Sequence, residues 1–194
     1  MTTNKSPEMR LLSPKDERLY LTAQEQKLFL AATEEEQPEN KLFCHTLYYT
    51  GCRPSEALEL SPERISMDKN EIVFRNLKKR KKDNTGRKKF PEFRTVPVPL
   101  SLVDGFDYAF DIRKNQEQKC VFWTMSRPTA YRLVKRVMER AGIRGKQATA
   151  KGIRHSFGIT LLSGSNPMPT NRLTYLMGHS GTAMTTFYLR DIGK

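Results

Sequence analysis

The sequence has few cysteines, no long apolar run and a shortage of acidic residues, and each shortage excludes a class of protein. Its three cysteines, Cys44, Cys52 and Cys120, are scattered and odd in number, which fits neither a disulfide framework nor a zinc-ligand spacing. No apolar run approaches the roughly 20 residues of a membrane-spanning helix. The first ten residues lack the apolar core of a signal peptide. We therefore expect a cytoplasmic protein that has no membrane partner.

The charge balance gives the first indication of a partner. Lysine and arginine total 34 against 21 acidic residues, so the formal net charge is +13. With 37% hydrophobic residues in a chain of 194, the composition is that of a globular protein with a sizeable core. An excess of positive charge this large favours a polyanionic partner, usually nucleic acid and less commonly an anionic membrane surface.

A capping box predicts the first helix. Thr22 is followed three positions later by Glu25, a spacing in which each side chain accepts the backbone N–H of the other residue. The apolar residues of this helix that are expected to face the core are Leu28, Phe29 and Ala32. Residues 1–20 carry two prolines and many charges without periodicity. They are predicted to be a mobile tail, and 21–194 to be the folded domain.

The rest of the pattern predicts an α+β fold, mostly helical, with one small antiparallel sheet near the middle. Segments 71–77 and 93–100 are rich in β-branched and aromatic residues, and the Asn-Thr-Gly signal at 84–86 lies between them. This predicts a β-hairpin with a long basic tip. Helices are predicted on both sides of a turn at Gly51 and at 126–142, 151–163, 170–177 and 182–190.

Two segments place arginines on helices. In "TGCRPSEALEL", Arg53 lies at a helix start and Glu56 follows one turn later, where it can hold the turn or the arginine itself. In "TAKGIRHSFGITLL", Lys151 and Arg154 are three residues apart and share a helix face that can meet one anion. The alternatives are a surface arginine at a helix N-terminus and an ordinary amphipathic helix with a basic face.

The tip of the predicted hairpin concentrates positive charge. With Asp83 as the one acidic residue, it supplies 8 − 1 = 7 of the +13. Such a loop is either solvated and self-repelling or screened by a polyanion, and we favour a phosphate backbone, which binds with release of counterions. The basic residues of the tip are Lys78, Lys79, Arg80, Lys81, Lys82, Arg87, Lys88 and Lys89.

A fourth segment, "LMGHSGTAMTTFYLR", carries a histidine and a tyrosine close to the end of the sequence. Gly178 stops a helix, His179 lies at the turn, and Tyr188 follows one short helix later. On their own, His179 fits a residue that bonds a helix-ending carbonyl, and Tyr188 fits a core aromatic whose hydroxyl is satisfied.

Together these residues fit phosphoryl transfer at a DNA backbone without a metal. Arg53 and Arg154 can bind the non-bridging oxygens of one phosphate and stabilise the charge gained in a five-coordinate transition state. The Tyr188 hydroxyl is a suitable nucleophile, and a hairpin lysine can protonate the leaving oxygen. Because the acidic residues are dispersed, no metal is predicted.

From Thr22 to Tyr188, the order of "TGCRPSE", a lysine-bearing hairpin, "KGIRHSF", "LMGHS" and "TTFY" resembles the catalytic domain of the tyrosine recombinases, the integrase family. The resemblance implies that Arg53 and Arg154 are the paired catalytic arginines, supported by Glu56. It also implies that Tyr188 is the nucleophile and that His179 contacts the scissile phosphate. The hairpin lysine is then Lys78, at the end of the first strand, with Lys79 as its competitor.

The sequence departs from the family pattern at the position three before the second arginine. Lys151 stands where the family more often has histidine, so Lys151 acts either as a base whose pKa neighbouring cations lower or as a cation on the phosphate. His155 is expected to pack or bond locally. Family members usually carry an N-terminal helical domain that clamps the DNA. With about twenty residues before the catalytic part, we expect that domain to be absent, in an excised piece or a short natural form.

The resemblance also implies a mechanism and partners. Tyr188 would form a 3′-phosphotyrosyl link with double-stranded DNA and release a 5′-hydroxyl. A homotetramer, monomeric when free, would exchange strands between paired sites, with no cofactor. The alternatives are a DNA-binding module that has lost catalysis, an RNA-binding protein and a relaxing enzyme like the type IB topoisomerases. The predicted DNA-contacting residues are Lys79, Arg80, Lys81, Lys82 and Arg87 on the hairpin and Arg127, Arg132, Lys135 and Arg136 on the helix 126–142.

Overall fold

Helices surround one small sheet in a computed structural model of the chain, which describes residues 11–77, 90–115, 119–182 and positions 185, 186 and 188. This is the predicted mostly helical fold. The helices are α1 (Ala23–Thr33), α2 (Pro38–Thr50), α3 (Pro54–Ala57), α4 (Leu100–Phe110), α5 (Ile112–Asn115), α6 (Arg127–Arg140), α7 (Ala150–Ser163) and α8 (Thr170–Met177), with a 3₁₀ turn at Pro62–Arg64. None of the described helices is long and apolar enough to cross a lipid bilayer.

The sheet has three antiparallel strands in the order β1 (Ile65–Ser66), β2 (Glu71–Arg75) and β3 (Phe93–Pro97). The predicted hairpin is therefore confirmed as β2 and β3, while β1 is too short to leave an alternating pattern. In the register, Phe74 pairs with Arg94, the second residue of the last strand. The predicted tip at 78–89 lies outside the described residues.

Helix α2 lies at the centre and packs against α1, α4 and α7. The capping box of α1 is confirmed, with Thr22 Oγ1 3.1 Å from the Glu25 nitrogen and Glu25 Oε2 2.7 Å from the Thr22 nitrogen. Leu28 is 42% exposed, so its predicted inward position is wrong. The buried face of α1 is formed instead by Phe29, Ala32 and Thr33.

Helices α4 and α5 were not predicted from the sequence. The strand pattern predicted for 93–100 runs into α4, which begins at Leu100 after Pro99 at its N-cap. Pro97 and Pro99 have no backbone N–H to donate to a neighbouring strand, so the strand ends at Pro97 and the helix can begin directly after Pro99. Buried Leu102, Val103 and Phe106 attach α4 to the core.

Residues 11–20 differ from the mobile tail predicted for 1–20, of which 1–10 lie outside the described residues. Leu11 is buried, and its carbonyl accepts the Leu19 N–H at 2.8 Å. An ion pair from Arg18 to Glu25 attaches the segment to the first turn of α1. Apolar burial and a charge pair thus hold a segment that has no periodicity of its own.

A second apolar cluster lies beside α7 and α8, separate from the main core. Its partly buried neighbours include Tyr20 and Phe157. The cluster joins the N-terminal segment to the helical residues near position 188, and its buried members are Leu11, Leu162, Leu173, Met177 and Tyr188.

Candidate functional site

Arg53 caps the N-terminus of α3 and is held by Glu56 in two ways. Its backbone N–H donates to Glu56 Oε2 at 2.9 Å, and its guanidinium Nη1 donates to Glu56 Oε1 at 2.9 Å. The carboxylate therefore holds both the helix turn and the arginine, the two roles that its spacing suggested. The Arg53 side chain remains 16% exposed, so the guanidinium borders solvent.

Glu56 has a second arginine partner, Arg94, which sequence reasoning missed. Arg94 Nη2 lies 2.6 Å from Glu56 Oε2, and Arg94 is almost fully buried on β3. Burial favours a higher pKa for Glu56, but the charge and hydrogen bonds of Arg94 outweigh it and lower the pKa. Glu56 is thus ionised and shared between two guanidinium groups.

Arg154 lies on α7 and is buried between two backbone carbonyls. It donates to the Gly51 carbonyl at 2.6 Å and to the Met177 carbonyl at 2.5 Å. Burial, and then the charge of Arg53, lowers the pKa of Arg154 to about 10, so the group stays protonated at neutral pH. These bonds tie α7 to the end of α2 beside Arg53 and to the end of α8.

His179 follows the left-handed Gly178 that ends α8, and two threonines fix its ring. His179 Nδ1 lies 3.0 Å from Thr185 Oγ1, which lies 2.7 Å from Thr174 Oγ1. Thr174 Oγ1 donates its proton to the Thr170 carbonyl at 2.7 Å. Thr185 must then donate to Thr174, and His179 Nδ1–H donates to Thr185.

This chain of hydrogen bonds sets the proton on the imidazole. Burial, followed by the charges of Arg154, Arg53 and Arg94, lowers the pKa of His179 to about 3. The neutral ring carries its proton on Nδ1, which leaves a lone pair on Nε2. That Nε2 atom is buried and has no hydrogen-bond partner among the described residues. It is the polar atom of the ring left to meet a ligand.

Tyr188 is fully buried in the second apolar cluster rather than pointing into solvent. Its phenol oxygen lies 3.0 Å from His155 Nδ1, on the residue next to Arg154. A Cβ on Gly158 would lie 3.2 Å from the phenol ring, so α7 approaches the ring closely. Burial raises the pKa of Tyr188 to about 12, although Arg154 and Arg53 oppose the shift. His155 was expected to pack or bond locally, but its hydrogen-bond partner lies 33 positions away and is the predicted nucleophile.

The remaining predicted residues are less closely grouped. Lys151 is exposed on the first turn of α7. The pKa of His155 is lowered to about 3, mainly by burial and secondly by the positive charge of Lys151. On α6, Arg127 and Arg132 are exposed. The hairpin residues Lys78, Lys79, Arg80, Lys81, Lys82 and Arg87 lie outside the described residues.

Two of the predicted DNA-contacting residues on α6 have partners within the protein. Lys135 Nζ donates to the Ala148 carbonyl at 3.2 Å, and Arg136 pairs with the largely buried Glu36 at 2.5 Å. Glu36 also pairs with Arg140 at 2.9 Å. The basic face of α6 is therefore partly neutralised at its C-terminal half.

The charges around Arg154 suit an anion. Arg53 and Arg94 lower its pKa and Glu56 raises it, so among these described groups three cations face one carboxylate. The excess of two positive charges matches the two negative charges that a phosphodiester carries once an oxygen nucleophile has made it five-coordinate, one more than it carries at rest. No three His, Cys, Asp or Glu side chains in the described part of the chain are grouped as metal ligands.

Comparisons with known proteins relate the chain to one family. The model of the phage integrase family matches residues 19–192. The tyrosine recombinase XerA of Pyrococcus furiosus is 27% identical over 201 residues, which cover 95% of this chain and 63% of that protein. The chain thus spans less than two thirds of the length of the curated relatives it matches.

Solved structures share the fold. The XerH site-specific recombinase, in a pre-cleavage complex with its difH substrate, matches with a TM-score of 0.69 at 16% identity, covering 91% of this chain and 55% of that one. The catalytic domain of bacteriophage HP1 integrase matches with a TM-score of 0.61 at 22% identity, covering 90% and 88%. Identities this low establish the fold alone.

Proposed function

Because this chain belongs to the phage integrase family, whose model matches residues 19–192, we propose that it cleaves and rejoins DNA through a covalent link to Tyr188. The observation that carries the proposal is the convergence of Arg53, Arg154 and His179 on one site with excess positive charge. The Tyr188 hydroxyl is hydrogen-bonded to His155, the residue that follows Arg154.

The scissile phosphate would be bound by the two arginines and the histidine. Arg53 borders solvent, and its guanidinium is held by Glu56 in a fixed orientation. Arg154 contributes its buried charge from the other side of the Gly51 turn. His179 offers Nε2, which would take a proton from the reacting groups or, once protonated near the anionic phosphate, donate to a non-bridging oxygen.

In the cleavage step, the Tyr188 oxygen attacks phosphorus and the bond from phosphorus to the 5′-oxygen breaks. The phenol proton passes to a base, and the departing 5′-oxygen takes up a proton to become a hydroxyl. Rejoining reverses this step, as a 5′-hydroxyl attacks the phosphotyrosine and the tyrosine oxygen leaves. The link therefore conserves the broken phosphodiester, and no cofactor is required.

Tyr188 has to leave its apolar pocket before it can attack. In the docked position the phenol is buried and its pKa is raised to about 12, which disfavours the phenolate. We assign the docked phenol to a resting arrangement, from which DNA binding releases it. Lys78 at the hairpin would supply the proton for the leaving oxygen, and Lys151 would act as a cation on the phosphate.

The partner in this proposal is double-stranded DNA in the cytoplasm. Four copies of the chain would assemble on paired DNA sites, and the chain would be a monomer in the absence of DNA. The XerH structure contains its own DNA substrate, which supports a DNA partner for a chain of the same fold. Exposed Arg127 and Arg132 at the start of α6 would contact the duplex beside the site.

Covalent trapping on a nicked suicide duplex tests the proposal. We expect a protein–DNA band that resists denaturation, forms without metal and disappears in Tyr188→Phe. Tyr108→Phe is the matched control, because Tyr108 is 84% exposed on α4 and outside the site. Retarded duplex without any covalent band would contradict cleavage and support a DNA-binding module, and comparable binding to structured RNA would contradict a DNA partner. Relaxation of a supercoiled plasmid without exchange would keep the cleavage but assign it to a relaxing enzyme.

A further inference from the structure

We propose that Arg94 is a positioning residue that holds the phosphate-binding groups of this site in register, an inference that rests on the proposed function. Arg94 is 1% exposed, so it does not itself reach solvent or a phosphate. Its guanidinium instead donates to acceptors on three different parts of the fold. Each acceptor is next to a group that the proposed reaction uses.

The first connection runs through Glu56 to Arg53. Arg94 donates to both carboxylate oxygens of Glu56, at 2.6 and 3.3 Å. Glu56 uses the same two oxygens to hold the backbone and the guanidinium of Arg53. Arg94 thereby fixes the carboxylate in the plane that orients Arg53.

The second connection runs to the end of α8 and the turn that carries His179. Arg94 Nε donates to the Leu176 carbonyl at 2.8 Å, and Arg154 donates to the next carbonyl, that of Met177. The last carbonyls of a helix lack partners within the helix, and cations near them are favoured. Two arginines thus hold the end of α8 and, with it, the turn that carries His179.

The third connection runs to the base of the hairpin. Arg94 Nη1 donates to Asn76 Oδ1 at 2.5 Å, and the Asn76 N–H donates to the Glu92 carbonyl at 2.8 Å. Asn76 is two residues before Lys78, the predicted proton donor. The strand from which the hairpin lysine departs is therefore attached to the same guanidinium.

A simpler role for Arg94 is to neutralise the buried charge of Glu56, as any cation would. A lysine would satisfy that role, but its single ammonium cannot reach a carboxylate, an amide oxygen and a helix carbonyl in the fixed geometry of a guanidinium fork. Arg94→Lys therefore separates the two roles. It keeps the positive charge and loses the fork.

The experiment compares Arg94→Gln and Arg94→Lys, each in the 194-residue chain, with the control Arg113→Gln, which removes an exposed ion pair with Asp107. Single-turnover cleavage of the nicked duplex gives the rate at saturating protein, and titration gives the DNA affinity. We expect Arg94→Gln to cleave about 100-fold more slowly, since a misplacement of about 1 Å has that cost. Arg94→Lys should also be slower than Arg113→Gln, and all three should bind DNA similarly.

The pH profile distinguishes positioning from mere folding. Without the charge of Arg94, the pKa of Glu56 rises, and a protonated Glu56 no longer pairs with Arg53. Cleavage by Arg94→Gln should therefore fall, as the pH is lowered below neutral, more steeply than cleavage by the wild type. Because the stability of the fold also falls with pH, the rate is expressed per folded protein, measured by circular dichroism at each pH, so that a loss of stability alone does not steepen the profile.

A crystal structure of Arg94→Gln gives a readout that does not require activity. We expect the 2.9 Å contact between Arg53 Nη1 and Glu56 Oε1 to be lost. An intact contact, or cleavage and pH dependence equal to those of Arg113→Gln, overturns the inference. If Arg94→Gln does not fold, Arg94→Lys decides by its cleavage rate and by the Arg53 contact, since it keeps the charge that lowers the pKa of Glu56 and its pH profile should match the wild type. If the wild type forms no covalent complex, the proposed function fails, while the Arg53 contact still decides the positioning role.

Discussion

The phenol oxygen of Tyr188 and Nδ1 of His155 lie 3.0 Å apart, with both side chains buried. The two rings are tilted by 60° with centroids 5.8 Å apart, so α7 holds the tyrosine by packing as well as by the hydrogen bond. Taken from the sequence alone, Tyr188 fitted both a core aromatic and a nucleophile. The structure places it as a core aromatic whose hydroxyl is bonded beside Arg154, and its role as nucleophile is a proposal.

Replacing His155 by leucine should release the phenol from this position. The docked hydroxyl would lose its partner inside an apolar pocket, which costs about 1–3 kcal/mol. If undocking limits the reaction, covalent complex forms about tenfold faster or more in a single-turnover assay. Thr160→Leu, on the exposed side of the same helix, should leave the rate unchanged. A slower rate in a stably folded His155→Leu protein would mean that His155 assists the chemistry instead.

Thr185 should be required for the orientation of His179. Thr185→Val keeps the shape of the side chain but removes the acceptor for His179 Nδ1–H and the donor to Thr174. A ring that turns or changes its tautomer no longer presents the Nε2 lone pair, so we expect a loss of roughly tenfold or more in cleavage rate. Thr185→Ser preserves the hydroxyl and is the matched control. Equal rates for the valine and serine variants would show that the threonine relay does not matter.

Local signals predicted the parts of the fold that depend on neighbours in sequence. The capping box at Thr22 and the bounds 170–177 of α8 are confirmed, because capping and helix-stop chemistry act over one turn. The contact between Arg53 and Glu56 follows from the same short spacing.

Contacts between distant segments could not be predicted in this way. Arg94 lies 38 residues from Glu56 and 82 from Leu176, and in the sequence it is one more basic residue after a basic loop. Nothing local separates a buried arginine from a surface one. Likewise, His155 and Tyr188 are 33 positions apart, so no local pattern predicts the pocket in which the tyrosine docks. A signal was present only in the alternation of β3, which turns Arg94 toward the same face as Val96.

Gly178→Ala adds only one methyl group but should disturb the site strongly. The residue has φ of +62°, and a Cβ would lie 2.7 Å from Asn76 Oδ1 and 2.8 Å from Arg94 Nη1. Gly142 is the control, since it has φ of +70° and no atom within 4 Å of a built Cβ. We expect Gly142→Ala to lower the free energy of unfolding by about 1 kcal/mol through backbone strain alone. Gly178→Ala should lose more stability in urea titrations and also slow cleavage.

The difference between the two glycine variants measures the clash with the Arg94 guanidinium. Equal losses of stability, with normal cleavage in Gly178→Ala, would mean that Asn76 and Arg94 move aside without consequence for His179.

The stability of the fold should decrease as the pH falls below neutral, because of buried neutral histidines. His155 and His179 have a pKa of about 3 in the folded protein, against an ordinary value of 6.5. Between these values the unfolded chain binds protons that the folded chain excludes, so stability rises with pH. Each histidine contributes a slope of up to about 1.4 kcal/mol per pH unit. Stability is complete above about pH 6.5 and is lost progressively toward pH 3.

Urea unfolding between about pH 6 and pH 5 isolates this effect, because the carboxyl groups that stabilise the fold titrate lower. Burial also lowers the pKa of His45, the third histidine of the chain, so it adds to the slope in the same direction. His179→Gln should reduce the slope by about one proton, or about 1.4 kcal/mol per pH unit. An unchanged slope in that variant would mean that His179 is already protonated in the fold, and its Nε2 would then donate to the phosphate from the start.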